Sequence, residues 1–242
     1  MMDVYADLHI HIGRTEKGNA VKITGSKTLT LRNILQFASS RKGLDMIGVI
    51  DCHVPEVLNE IDELIQQGKL TELTGGGLRF RQTTLILGSE IEIYDPQCLG
   101  PIHVLTYFQT LEKMRDFSQW MSHHVKNISL STQRIYVDGR ALQKKVHELD
   151  GLFIPAHVFT PFKSLYGKGV KESLREVFDP KYIDAIELGL SSDTNMVGKI
   201  QEIQNYSFTT NSDAHSLPKI AREYQKLRLH DKTFLELKKA IQ

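Results

Sequence analysis

Four pairs of side chains in this sequence share one spacing. "DLHIH" carries His9 and His11, "IDCH" carries Asp51 and His53, "GSEIEIYD" carries Glu90 and Glu92, and "NSDAH" carries Asp213 and His215. Each pair is spaced i, i+2 at the end of an apolar run, and in an extended segment that spacing puts both side chains on one face. His103 in "GPIHVL" and His157 in "FIPAHV" close two further apolar runs. Neutral imidazoles suit zinc and other transition metals, and carboxylates can bridge two cations, so this mixed set has the chemistry of a polynuclear hydrolytic metal site. Taken singly, His103 or His157 would be read as a satisfied core histidine and Asp51 as a helix cap. Their coincidence at successive strand ends favours ligands: His9, His11, Asp51, His53, Glu90, His103, His157, Asp213 and His215. Glu90 and Asp213 are the catalytic carboxylates on this reading. Glu92 suits a salt bridge at least as well. His123, His124, His147 and His230 fall in helical patterns and read as solvated surface.

Converging these residues requires a scaffold that gathers strand ends. Short β-like runs over 4–10, 46–51, 84–92, 102–107, 152–157, 183–188 and 207–212 alternate with amphipathic stretches such as "LTLRNILQFASSRK", "EVLNEIDELIQQ", "ESLREVF" and "NMVGKIQEIQ". This alternation predicts βα units and a seven-stranded α/β barrel, whose active face lies at the C-terminal strand ends. Thr30 is the expected cap of the first helix, and Ser191 or Ser192 of the helix around Asn195. "GGG" at 75–77 marks a hairpin or loop.

At 242 residues, with 40% apolar and 24% charged side chains, the chain is expected to form one globular domain over 1–242. Its last helix stops without a capping signal, as in a domain cut from a longer chain. The apolar runs are too short to span a bilayer and the N-terminus lacks a signal-peptide pattern, so a cytoplasmic protein is expected. Only Cys52 and Cys98 are present, too few for a disulfide framework or a four-cysteine zinc site. The formal net charge is +1, yet two loops bound for the metal face are basic. Residues 12–29 hold Arg14, Lys17, Lys22 and Lys27 against Glu16; residues 158–175 hold Lys163, Lys168, Lys171 and Arg175 against Glu172; each nets +3. Such lysines and arginines could neutralise phosphates. Phe159 and Tyr166 in the second loop could stack on an unpaired base, with Phe162 beside them. Ser191 and Ser192 in "LGLSSD" could offer hydroxyls to a phosphate or cap a helix.

The blocks "DLHIH", Asp51 with His53, Glu90 with His103, "PAH" and "SDAH" resemble those of the PHP (polymerase and histidinol phosphatase) superfamily over residues 7 to 215. That resemblance implies a distorted seven-stranded (β/α)7 barrel with two or three divalent metals, zinc first, with manganese or magnesium as alternatives. It further implies that His9, His11, Glu90 and Asp213 hold one ion, that Glu90 bridges to a second on His103 and His157, and that His53 and His215 serve a third. Many relatives add a histidine to the third site from the loop after "DLHIH"; here "IGRTEKGNAVKITGSK" has none. "PAHVFTPFKSLYG", "AIELGLSSD" and "TNSDAHS" are similar to the endonuclease Q family, which implies a DNA repair endonuclease cutting 5′ of deaminated bases or abasic sites. A phosphomonoesterase for a small metabolite such as histidinol phosphate, and a non-catalytic PHP module of a larger protein, are the rival readings.

Overall fold

The first strand, β1 (Met2–Ile10), is buried on both faces from Ala6 onward, which its partners explain. It pairs in parallel with β2 (Met46–Val49) on one side and antiparallel on the other with Gln225–Leu229, the last strand of the chain. The structure, a computed structural model, describes residues 1–242. In chain order the remaining strands are β3 (Thr71–Glu72), β4 (Leu78–Phe80), β5 (Thr83–Ile93), β6 (Ile102–Phe108), β7 (Arg134–Ile135), β8 (Leu152–Pro155), β9 (Ala185–Glu187), β10 (Ser207–Thr209) and β11 (Gln225–Leu229). The helices are α1 (Leu31–Phe37), α2 (Pro55–Gln66), α3 (Leu111–Ser122), α4 (Gly139–Glu148), α5 (Thr194–Val197) and α6 (Phe234–Ile241).

The seven-stranded barrel expected from the sequence is replaced by a mixed sheet of nine strands, with β9 and β10 forming a separate parallel pair. All seven expected strands are present, and β3, β4, β7 and β11 are additional. No continuous ladder closes a barrel. Isolated hydrogen bonds bridge the gaps instead, Asp184 N to Phe153 O and Val158 N to Glu187 O on one side, His11 N to Ala214 O and Ala214 N to His9 O on the other. The parallel rule fails at β5. No helix separates β5 from β6, and a connection that short cannot make a parallel crossover. β6 therefore runs antiparallel to β5, and β8 antiparallel to β6. His103 consequently lies at the start of β6 rather than at a strand end, and the register Glu92↔His103 returns it to the end of the sheet where β5 finishes.

Apolar patterning divides the interior. Val4, Ala6 and Leu8 of β1 join Ile86, Leu105, Tyr107, Ile154 and Phe234, Leu237 and Ile241 of α6 in one cluster. Ile10 and Ile12 belong instead to the larger cluster, together with buried residues of α1 to α4. Leu8 and Ile10 would share a face in a regular strand. The register of β1 on β2 shifts between Asp7 and Ile10, and a bulge of this kind changes which face follows and re-aims side chains. His9 and His11 lie just at and beyond that shift.

Two expected helices shrink. "ESLREVF" forms only a 3-10 turn at Leu174–Glu176, and "NMVGKIQEIQ" breaks into α5 and a turn at Gln201–Ile203. Thr30 caps α1, accepting from Asn33 N. The cap of α5 is Asp193, accepting from Asn195 N and Met196 N, and neither Ser191 nor Ser192 takes that place. A carboxylate at this position also favours the positive end of the short helix. No helix is long and apolar enough to cross a membrane.

The close passage of β2 behind β1 depends on Gly48, where a Cβ would stand 2.3 Å from the carbonyl oxygen of Leu8. Gly48→Ala should destabilise the protein by about 1–3 kcal/mol. A calorimetric melt should show Tm lower by several degrees; an unchanged Tm would mean that the strands slide apart freely.

Candidate metal centre

Glu90, near the end of β5 and 1% exposed, is the residue on which the others converge. Its Oε1 lies 3.0 Å from His103 Nδ1, 3.3 Å from His157 Nε2 and 3.5 Å from His9 Nε2. Its Oε2 lies 3.4 Å from His11 Nε2 and 3.3 Å from Lys22 Nζ, and accepts a hydrogen bond from Thr132 Oγ1 at 2.5 Å. Asp213 Oδ1 is 3.4 Å from His9 Nε2 and 3.5 Å from His11 Nε2. Two groups of ligand atoms result, His9–His11–Asp213 and Glu90–His103–His157, with the atoms of each within 4.8 Å of one another.

The donor set fits divalent cations. His9 Nε2, His11 Nε2 and His157 Nδ1 are buried without a hydrogen-bond partner, an arrangement that costs free energy unless something fills it. The spacings of 3.4–3.5 Å between imidazole nitrogens and carboxylate oxygens are long for hydrogen bonds. They match two ligands each about 2.0–2.2 Å from a shared tetrahedral ion.

The other ring nitrogens are held from behind. His9 Nδ1 donates to Glu187 Oε1 at 3.0 Å, and Glu187 also accepts from the His157 amide at 2.9 Å and from Asn211 Nδ2 at 2.8 Å. His11 Nδ1 donates to Asp51 Oδ2 at 3.1 Å, and Asp51 accepts in addition from Ile12 N and Ser131 Oγ. Asp7 is buried beneath, accepting from the amides of Ser212 and Ala221. Such buried partners fix the tautomer and orientation of an imidazole that ligates through its other nitrogen.

The i, i+2 spacing brings two of the pairs onto common partners. His9 and His11 both face Asp213, and Glu90 and Glu92 both face His103, Glu92 through His103 Nε2 at 3.3 Å. Glu92 also pairs with Lys163 Nζ at 2.9 Å. β2 stops at Val49, Asp51 makes only an isolated bridge to Ser89 and His53 lies in the turn that follows, so the two side chains diverge. His53 is held by Ser89 Oγ at its Nδ1, 2.8 Å away, and faces the Leu130 carbonyl at its Nε2, 3.5 Å away. It stands outside both ligand groups, and Asp51 reaches them only through His11. Asp213 has φ +46° and His157 φ +30°, so both arrive by left-handed turns. His215 follows Asp213 with Nδ1 3.5 Å from its Oδ1, its ring tilted by 53° against that of His11 at a centroid distance of 4.5 Å.

The substrate-binding expectations divide. Lys163 and Ser191 line a cavity of about 430 Å³ that opens over the ligands, along with Lys22, Phe162 and Leu190. Arg14 is turned to the Gly18 carbonyl, Ser192 donates to the Leu188 carbonyl, and Lys168 is exposed; none of the three lines the cavity. Phe159 and Tyr166 stack on each other against the core, with the Tyr166 hydroxyl bonded to Glu202. Apolar burial has drawn them inward, and Phe162, 71% exposed, is the aromatic residue left at the mouth. Glu187, Asn211, Ser131 and Thr132 were not among the residues read from the sequence. Glu187 carries the same signal as Glu90, a carboxylate closing an apolar run; the other three carry none.

Electrostatics follow from the burial. Burial opposes charge on His9, but Glu187 and Asp213 outweigh it and hold the imidazole well above its ordinary range. Burial likewise opposes charge on His11, and Asp51 raises it to about 9. Burial works against ionisation of Glu90, yet His103 and Lys22 hold it well below the ordinary carboxylate range. His53, buried and less well compensated, is pushed down.

Comparisons with known proteins agree with this geometry. No family model matches the chain. It is 61% identical over 241 residues to the uncharacterized protein YqxK of Bacillus subtilis (strain 168), matching 100% of this chain and 62% of that protein. Among solved structures, the lesion-specific endonuclease PfuEndoQ from Pyrococcus furiosus superposes with a TM-score of 0.81 at 30% identity, over 99% of this chain and 56% of that one. Over nearly its whole length the chain is similar in structure to endonuclease Q. A complex of endonuclease Q with a 27-mer duplex carrying an abasic lesion at the active site gives a TM-score of 0.82 at 29% identity, over 98% of this chain and 56% of that one. This endonuclease Q-like chain thus spans less than two thirds of the length of these relatives.

Two outcomes test the centre. Metal uptake should displace the protons that His9 and His11 hold at neutral pH, so calorimetric titrations with zinc or manganese in buffers of different ionisation enthalpy should report proton release. Absence of release would contradict the ligand assignment. Because the His11 pKa is raised from 6.5 to about 9, its contribution to the stability of the metal-free protein is complete below about pH 6.5 and lost as pH rises through about 9. Tm of metal-free protein should fall across that window and stay flatter once metal is bound.

Proposed function

We propose that the chain is a metal-dependent phosphodiesterase acting on DNA, cutting 5′ of deaminated bases or abasic sites. The observation that carries this reading is that Glu90, a member of one ligand group, also approaches His9 and His11 of the other, beneath an open cavity lined by Lys22 and Lys163. Its likeness to a lesion-specific endonuclease supports the choice of substrate. Divalent ions, when bound here, polarise a phosphoryl oxygen and make a water nucleophilic at neutral pH. His9, His11, Glu90 and Asp213 would hold the first, with His103 and His157 joining Glu90 at the second; zinc, manganese or magnesium each suit this donor set.

The chain's own residues supply position and charge. Glu187 and Asp51 fix the imidazoles of His9 and His11 with one nitrogen toward the cavity. Lys163 presents positive charge to the phosphodiester beside the centre, at the cost of loosening its pair with Glu92. Asp213, with 36% of its side chain exposed, is the ligand-type carboxylate most open to an incoming water and can orient it for in-line attack.

Asp213→Asn tests the assignment. Asparagine is nearly isosteric and tolerates the left-handed backbone at this position, so folding should be retained. Loss of the charge should slow nicking by about a hundredfold to a thousandfold. Purified protein would be assayed on duplexes carrying uracil, hypoxanthine or an abasic site, with p-nitrophenyl phosphate as the monoester control. Nicking by the variant at the wild-type rate would remove Asp213 from the chemistry, and hydrolysis of the monoester alone would replace the endonuclease reading by a phosphomonoesterase.

A further inference from the structure

We propose that Lys22 is a built-in third cation of the centre: its ammonium takes the place of a third metal ion and binds a phosphoryl oxygen of the substrate. This rests on the phosphoesterase reading above and deepens it. Lys22 comes from the loop after "DLHIH", which contains no histidine, and it is the residue of that loop that reaches Glu90. Its Nζ donates to Glu90 Oε2 at 3.3 Å and to Thr132 Oγ1 at 2.5 Å, and Thr132 in turn donates to the same Glu90 oxygen. The side chain is 15% exposed, and the backbone is tied down at both groups, Lys22 N to Ile12 O and Gly25 N to Lys22 O. An ammonium has three donors. Two are engaged here, and the third is available to the cavity that Lys22 lines beside His11, Asp213 and His215.

The residues that could otherwise assemble a third ion site are committed elsewhere. The His53 ring lies between Ser89 and the Leu130 carbonyl, and Asp51 is taken by His11, Ile12 and Ser131. His215 alone remains in the cavity. A lysine also differs from an ion in consequence: it is a permanent point charge that chelators cannot remove and that recognises phosphate as a cation.

The test uses the full chain loaded with manganese, its bound metal counted by elemental analysis and its affinity for inorganic phosphate measured by calorimetry. The wild type should hold two equivalents. Lys22→Met should still hold two and bind phosphate about tenfold to a hundredfold more weakly, the loss expected for one charge-assisted hydrogen bond. Lys22→Arg should retain both the count and most of the phosphate affinity, and it carries the test if the methionine variant does not fold. Three equivalents in the wild type, or phosphate binding by Lys22→Met equal to wild type, would overturn the proposal; so would failure of Lys22→Arg to bind phosphate. A wild type that holds two ions and binds phosphate through Lys22 but cleaves no phosphodiester would defeat the endonuclease reading and leave this assignment standing.

Discussion

Glu90 carries its carboxylate in the interior of the sheet at 1% exposure, and an unpaired charge there would cost several kcal/mol. The surrounding architecture answers that requirement. Four imidazoles, one ammonium and one hydroxyl point at its two oxygens from β1, from the loop after β1, from the start of β6, from the turn before β7 and from the turn after β8. Those imidazoles cannot all be satisfied by one carboxylate, and several nitrogens remain without partners. The site is therefore arranged for positive charge beyond what its own hydrogen bonds provide, and divalent ions would supply it with directional bonds to both nitrogen and oxygen.

Holding this arrangement requires local backbone strain. His157, Lys163, Thr132 and Asp213 all adopt positive φ without being glycine, at a cost on the order of 1–3 kcal/mol each. Each belongs to the cavity or touches Glu90. The buried second layer offsets this cost: Glu187 binds both the ring of His9 and the amide of His157, coupling the two ligand groups through one side chain. Asp7 does the same for the chain around Asp213, accepting the amides of Ser212 and Ala221. A site built this way is preorganised, since the ligands cannot turn away without stranding buried acceptors.

The rim is softer than the floor. Lys163 is about half exposed, so its pair with Glu92 is screened by solvent and the ammonium can leave it at small cost. Phe162 and Leu190 stand exposed over a cavity lined mainly by polar groups.

Most of the chemistry was legible in the sequence because ligand residues differ sharply in type from the apolar runs that carry them. His9, His11, Glu90, His103, His157 and Asp213 stand out as polar groups closing apolar segments, and the strands that hold them were readable from β-like patterning. What that patterning could not supply was direction and pairing. The antiparallel turn of β6 depends on the absence of a crossover helix, and the convergence of His103 with Glu90 depends on a register set between strands. The divergence of Asp51 from His53 depends on where β2 stops, a backbone event that side-chain spacing does not encode. Phe159 and Tyr166 were drawn into the core because each found the other and Glu202 there, while Lys22, indistinguishable from its basic neighbours in the loop, was carried to Glu90. Sequence alone determined which residue types were available for the site; the tertiary structure decided which of them meet, because contacts between distant segments are fixed by packing and hydrogen-bond register rather than by local pattern.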